Sequence, residues 1–81
     1  MTPHYVEWDK LPYWMQWVAV DENGDVFGYE LKPRIRDEGD VWILGRKNVY
    51  RLQYIWSKFI IKDNLEGVEW RQSLIERPAQ E

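Results

Sequence analysis

The chain contains no cysteine, so neither a disulfide nor a thiolate metal site is open to it. It has one histidine, His4. With no thiol and a lone imidazole near the start, zinc catalysis and histidine-based nucleophile triads are excluded. The glycines stand singly at Gly24, Gly28, Gly39, Gly45 and Gly67, which rules out a glycine-rich phosphate loop. No apolar run approaches the roughly 20 residues of a membrane span. Met1-Thr2-Pro3-His4 lacks the basic start and apolar stretch of a signal peptide, so a cytoplasmic location is the expectation. Excess charge is small, 14 acids against 11 bases for a net −3. That sign argues against binding long nucleic acids through their phosphates.

What the chain has in abundance is tryptophan, six in 81 residues: Trp8, Trp14, Trp17, Trp42, Trp56 and Trp70. The length bounds it to one small domain, and the 44% hydrophobic and 31% charged fractions fit a globular protein. Without disulfide staples, aromatic packing or self-association must supply stability. Six indoles exceed what so small an interior can absorb, so some are expected at the surface, where a partner could dock. A homo-oligomer is expected on the same ground, since exposed indoles and strand edges invite pairing.

The clearest unit is residues 15–33, where two β-prone runs flank Asn23-Gly24, the strongest short hairpin signal. If those two residues are the turn, Val20 pairs with Phe27 and Val18 with Tyr29. These four then share one face, and Trp17, Ala19, Val26, Gly28 and Glu30 lie on the other. A longer loop over residues 21–25 would flip one strand relative to its partner. Before the hairpin, residues 1–13 read as an extended arm tacked down by Tyr5, Val6 and Trp8, with a short helical turn near 12–15. After it, 34–40 reads as a charged loop, 41–44 as a third strand, and 45–48 as a turn. Residues 49–61 fit two patterns. As strands near 49–54 and 55–61, they place Tyr50, Leu52, Tyr54, Trp56 and Ile60 on one face. As a helix, Val49, Leu52, Trp56, Phe59 and Ile60 make a stripe. The β-branched and aromatic content favours strands. Asp63-Asn64 and Gly67 mark a turn. Residues 69–78 predict a short helix with Trp70, Leu74 and Ser73 inward, stopped by Pro78, and 79–81 a frayed end. The expected fold is therefore mainly β, a small antiparallel sheet of four to five strands with a short C-terminal helix, or α+β if 49–61 is helical.

No constellation of residues points to catalysis. The carboxylates Glu30, Asp37, Glu38 and Asp40 form no recognisable acid–base pair. The run Asp21-Glu22-Asn23-Gly24-Asp25 places its glycine fourth, and Lys32 stands at the twelfth position where a calcium loop needs glutamate, so it reads as a turn. Lys32, Arg34 and Arg36 cluster, as do Arg46 and Lys47, most simply as solvated loop charge. The sharper pattern is aromatic residues interleaved with bases: Trp42, Arg46, Lys47, Tyr50, Arg51, Tyr54 and Trp56. Such interleaving suits a nucleotide stacked on a ring with its phosphates on the bases.

Two stretches carry a resemblance. One is Trp14-x-x-Trp17-Val18-Ala19-x-Asp21-x-x-Gly24-x-Val26-x-x-Tyr29-Glu30-x-x-Pro33, followed later by Trp42. The other is Trp70-x-x-Ser73-Leu74-x-x-Arg77-Pro78. Together they resemble a loose group of small bacteriophage proteins with this layout; residues 47–67 carry no match. The resemblance implies a phage or prophage origin and expression in a bacterial cytoplasm, and it transfers no catalytic residue. The functional expectation is a non-enzymatic binding protein, without cofactor, that blocks a host or defence protein. The alternative is a small protein that sequesters a nucleotide. The candidate interaction surface is Trp17, Trp42 and Tyr50, with Arg46, Lys47 and Arg51 as its cationic part.

Overall fold

The computed structural model describes residues 4–35, 41–43 and 52–79. Within them the chain is mainly β and antiparallel. Strands β1 (Trp17–Val20), β2 (Val26–Tyr29), β5 (Leu52–Tyr54) and β6 (Ile75–Glu76) form a sheet in the order β5-β2-β1-β6. Strands β3 (Arg34–Ile35) and β4 (Trp42–Ile43) form a separate two-stranded sheet. The first residues of the expected charged loop are thus a strand, because Arg34 and Ile35 pair with Ile43 and Trp42. Connecting segments fold as short 3-10 turns at Trp8–Lys10, Ser57–Phe59, Lys62–Leu65 and Trp70–Gln72.

The hairpin between β1 and β2 closes on a longer loop than a two-residue turn. The Gly24 N–H donates to the Asp21 carbonyl at 2.9 Å, and the Asp21 N–H donates to the Asp25 carbonyl at 2.8 Å. Gly24 takes φ +94°, the left-handed position that ends such a three-residue loop. Asn23 reinforces it, its Oδ1 accepting from the Asp25 N–H at 3.0 Å. Val20 consequently pairs with Val26, Ala19 with Phe27, Val18 with Gly28 and Trp17 with Tyr29. Directly paired residues share a face. So β2 is flipped relative to the two-residue reading: Trp17, Ala19, Phe27 and Tyr29 stand together, and Val18, Val20, Val26 and Gly28 stand opposite.

The second of these faces is the core. Val18, Val20, Val26 and Ile75 pack with Tyr5, Val6, Trp8, Met15, Ile55 and Ile60. Aliphatic β-branched residues dominate it, and Trp8 is its one indole below a tenth exposed. Of the other tryptophans, Trp14 packs against it partly buried, and Trp56 is exposed. The N-terminal arm is anchored by Tyr5, Val6 and Trp8 as expected, yet it is not simply extended. Val6 bridges to Ile60, the Glu7 N–H donates to the Phe59 carbonyl at 3.0 Å, and the Ile61 N–H donates to the Tyr5 carbonyl at 2.7 Å. The expected second strand of 49–61 is replaced by the 3-10 turn at Ser57–Phe59, leaving the isolated Ile60 bridge. The expected C-terminal helix is a single 3-10 turn, after which Ile75 and Glu76 join the sheet beside β1.

Gly28 is dictated by close approach. A Cβ there would occupy the space of the fully buried Met15 side chain. Gly28→Ala is expected to cost about 1–3 kcal/mol by overpacking. In a Met15→Ala background the same change should cost less, a coupling that urea unfolding of the four proteins measures directly.

Candidate functional site

The outward face of the four-stranded sheet carries two cross-strand rows. One runs Leu52, Tyr29, Trp17 and Glu76; the other runs Tyr54, Phe27 and Ala19. Tyr29 and Ala19, in the middle, are buried. Toward β5 the face opens: Leu52 is 52% exposed, Tyr54 42% and Trp56 62%. Period-two alternation produces this, since Ile55 between Tyr54 and Trp56 turns into the core and its N–H donates to the Val26 carbonyl at 2.8 Å.

The rings at this end of the face are positioned by one another. Phe27 and Tyr54 lie 5.4 Å apart between centroids with planes at 75°, and Tyr54 and Trp56 lie 5.6 Å apart at 90°. Each is an edge-to-face contact, the favoured geometry of a quadrupolar pair. The result is an aromatic strip held in place before any partner arrives. Two ammonium groups rest on rings outside the strip. Lys32 Nζ sits 5.5 Å from the Trp17 ring centroid, and Lys58 Nζ sits 5.1 Å from that of Phe59. Trp56, Ser57 and Lys58 line an open cleft of about 310 Å³.

The residues singled out from the sequence fall in three places. Trp17 lies on this face, half-buried beside Lys32. It shares the face with Phe27, not the opposite one as the two-residue turn required. Trp42 works as an internal pin. Its indole N–H donates to the Val20 carbonyl at 3.1 Å and to that of Trp70 at 3.3 Å, and its backbone N–H donates to Asp21 Oδ1 at 3.0 Å. Arg46, Lys47, Tyr50 and Arg51 lie outside the described residues. The strip itself, Phe27, Tyr54 and Trp56 with Leu52, was not chosen as the interaction surface. Its signal was present in the alternation of Leu52, Tyr54 and Trp56 around the buried Ile55.

The residues behind the phage-protein resemblance have structural roles. Ser73, fully buried, donates from its hydroxyl to the Trp70 carbonyl at 2.6 Å and accepts from the Val20 N–H at 2.8 Å. Arg77 donates from its guanidinium to the Met15 carbonyl at 2.8 Å and the Pro12 carbonyl at 2.9 Å. Trp42 and Ser73 thus both bond to Val20 and to Trp70, so the hairpin stretch and the C-terminal stretch meet in one hydrogen-bonded node. Two tyrosines lie deep in the same region. Burial pushes the Tyr5 and Tyr29 hydroxyls well above the ordinary tyrosine range, and Asp21 raises Tyr29 further.

Among the described residues, no group of three or more His, Cys, Asp or Glu side chains is placed to hold a metal ion, and no helix is long and apolar enough to cross a membrane. The geometry defines a small antiparallel β domain with an aromatic strip on its outer face. No family model matches the chain, and neither a curated protein nor a solved structure matches it.

Proposed function

We propose that this chain is a phage-type, non-enzymatic binding protein that blocks a host or defence protein in the bacterial cytoplasm. The observation that carries the reading is the mutually braced strip Phe27–Tyr54–Trp56, half-buried at Phe27 and exposed at Tyr54 and Trp56. Protein interfaces concentrate their binding energy in such aromatic anchors. The resemblance of the two outer stretches to small phage proteins supplies the biological setting.

Trp56→Ala is the test. Its indole contributes little to the core, so thermal unfolding should stay nearly unchanged. Affinity for a partner captured from bacterial lysate should fall about 30-fold or more, the loss expected of an anchor worth about 2 kcal/mol. Capture that is equally strong with Trp56→Ala and Tyr54→Ala would refute this face as the docking site.

A second reading is favoured by the cleft at Trp56, Ser57 and Lys58. There a nucleotide base would stack on the indole while the ammonium met its phosphate. Thermal-shift screening against a nucleotide panel separates the two: a rise in melting temperature that disappears in Lys58→Gln supports nucleotide sequestration.

A further inference from the structure

We infer that Asn23 is a site of spontaneous covalent modification, deamidation through its neighbour Gly24, which the closed β1–β2 loop restrains and whose product unfastens that loop. This chemistry is independent of what the aromatic strip binds.

Sequence selects the residue. Deamidation needs the backbone nitrogen of the next residue to reach the asparagine side-chain carbon, and a side chain on that next residue obstructs the approach. Glycine obstructs least and is freest to adopt the reacting backbone geometry. The chain has three asparagines; Asn48 precedes Val49, Asn64 precedes Leu65, and Asn23 alone precedes a glycine. Asn23 and Gly24 are both exposed, so water and hydroxide reach them. In the reaction the Gly24 nitrogen gives its proton to a solvent base and bonds to Asn23 Cγ. The Cγ–Nδ2 bond breaks, and Nδ2 takes a proton from water and leaves as ammonia. A water molecule then opens the five-membered imide at either carbonyl, giving aspartate or isoaspartate. The sum is one water consumed and one ammonia released, with no oxidation or reduction.

The folded loop holds both reacting groups. The Gly24 N–H, whose proton must leave, is donated to the Asp21 carbonyl at 2.9 Å. The Asn23 amide is clamped by Asp25 at both ends: Oδ1 accepts from the Asp25 N–H at 3.0 Å, and Nδ2 donates to Asp25 Oδ2 at 3.0 Å. One of these contacts favours reaction, since the Asp25 N–H would stabilise negative charge growing on Oδ1. It acts only once the Gly24 nitrogen is free and the side chain can turn toward it. Reaction therefore waits on a local opening of the loop, a fluctuation smaller than global unfolding. The same contacts fix what the product does. In aspartate an oxygen stands where Nδ2 stood, so the contact with the Asp25 carboxylate changes from a hydrogen bond to a meeting of two anions. Isoaspartate adds a backbone carbon and lengthens the path between the Asp21 and Asp25 groups that close the loop.

The experiment holds the intact protein, and the same chain unfolded in guanidinium, at mildly alkaline pH. Peptide mapping by mass spectrometry then follows aspartate and isoaspartate at each asparagine. Conversion in the unfolded chain should be fastest at Asn23, and in the native protein at least about tenfold slower there. Asp25→Ala, which releases Nδ2, should narrow that gap. The product is tested separately by Asn23→Asp, which should lower the melting temperature by roughly 2–6 °C. Asn23→Asp/Asp25→Asn exchanges the two groups, restores one donor facing one carboxylate, and should recover most of the loss. Equal rates in the native and unfolded chains, or faster conversion at Asn48 or Asn64, would overturn the inference. So would a gap unchanged by Asp25→Ala, since the clamp would then restrain nothing. An Asn23→Asp protein that melts with the parent, or an exchange that recovers nothing, would overturn the unfastening of the loop by its product.

Discussion

Raising the pH from about 10 to about 12 is expected to strip about 5 kcal/mol from the stability of this domain. Two phenols are responsible. Tyr5 and Tyr29 are each at most 1% exposed, and burial holds both hydroxyls neutral in the folded state well beyond the ordinary tyrosine range. In the unfolded chain both ionise near pH 10. The folded form therefore binds more protons than the unfolded form above that pH. The stability contributed by each neutral phenol is complete below about pH 10 and is lost as pH climbs toward the raised folded value, at about 1.4 kcal/mol per pH unit per group. Ionised Tyr5 would also lose the proton it donates to the Ser73 carbonyl at 2.7 Å. Ionised Tyr29 would face Asp21, a like charge. Urea unfolding followed by far-ultraviolet circular dichroism across this range measures the slope. Tyr5→Phe should roughly halve it while lowering stability at neutral pH through the lost hydrogen bond. A slope unchanged by Tyr5→Phe and by Tyr29→Phe would show that neither buried phenol governs alkaline unfolding.

Arg77→Ala should cost about 3–4 kcal/mol although the side chain is only half-buried. The side chain reaches back across the whole chain. Its Nε–H donates to the Met15 carbonyl at 2.8 Å, and an Nη2–H donates to the Pro12 carbonyl at 2.9 Å. Its guanidinium carbon lies 5.2 Å from the Trp8 ring centroid. One residue thus staples the segment leading into β1 to the strand that closes the sheet, and does so with charge-assisted bonds and a cation–π contact. Removal leaves two half-buried carbonyls without their donor. A domain of this size holds roughly 4–12 kcal/mol in total, so the loss takes a large share of it. The melting temperature should drop by roughly 12–25 °C. Arg77→Lys keeps the charge but not the fork, and should recover only part of the loss. An alanine variant melting within a few degrees of the parent would show the staple to be energetically idle.

Both effects arise from contacts between distant segments, and this explains the uneven legibility of the chain. The hairpin at Asn23-Gly24 was readable because its signals are local: two β-prone runs, and a glycine where the loop needs positive φ. Its register was not. Whether Asn23 and Gly24 form the whole turn, or Glu22 joins them, depends on the Asp21–Asp25 backbone pairing and on the Asn23 side chain bonding to Asp25. The difference is a single residue, yet it moves Phe27 and Tyr29 to the other side of the sheet. The same holds for the strip. Alternation of Leu52, Tyr54 and Trp56 could be read from the chain, but that Ile55 points inward follows only from β5 pairing with β2. Strand β6 and the pair β3–β4 are two residues each, too short for any periodicity to register.

Composition and local pattern were enough to establish a small β domain with more aromatic surface than its interior could take. They established as well that no thiol, histidine cluster or phosphate loop was at hand for chemistry. Which indoles stay outside was decided by long-range pairing. Trp42 is drawn inward because the Val20 and Trp70 carbonyls converge on its N–H. Trp56 is left out because the residue before it fills the core. Neither outcome has a local cause, since both depend on groups brought together across the fold. A residue type reports how much surface it can bury, whereas the partner that buries it is chosen only when the sheet closes.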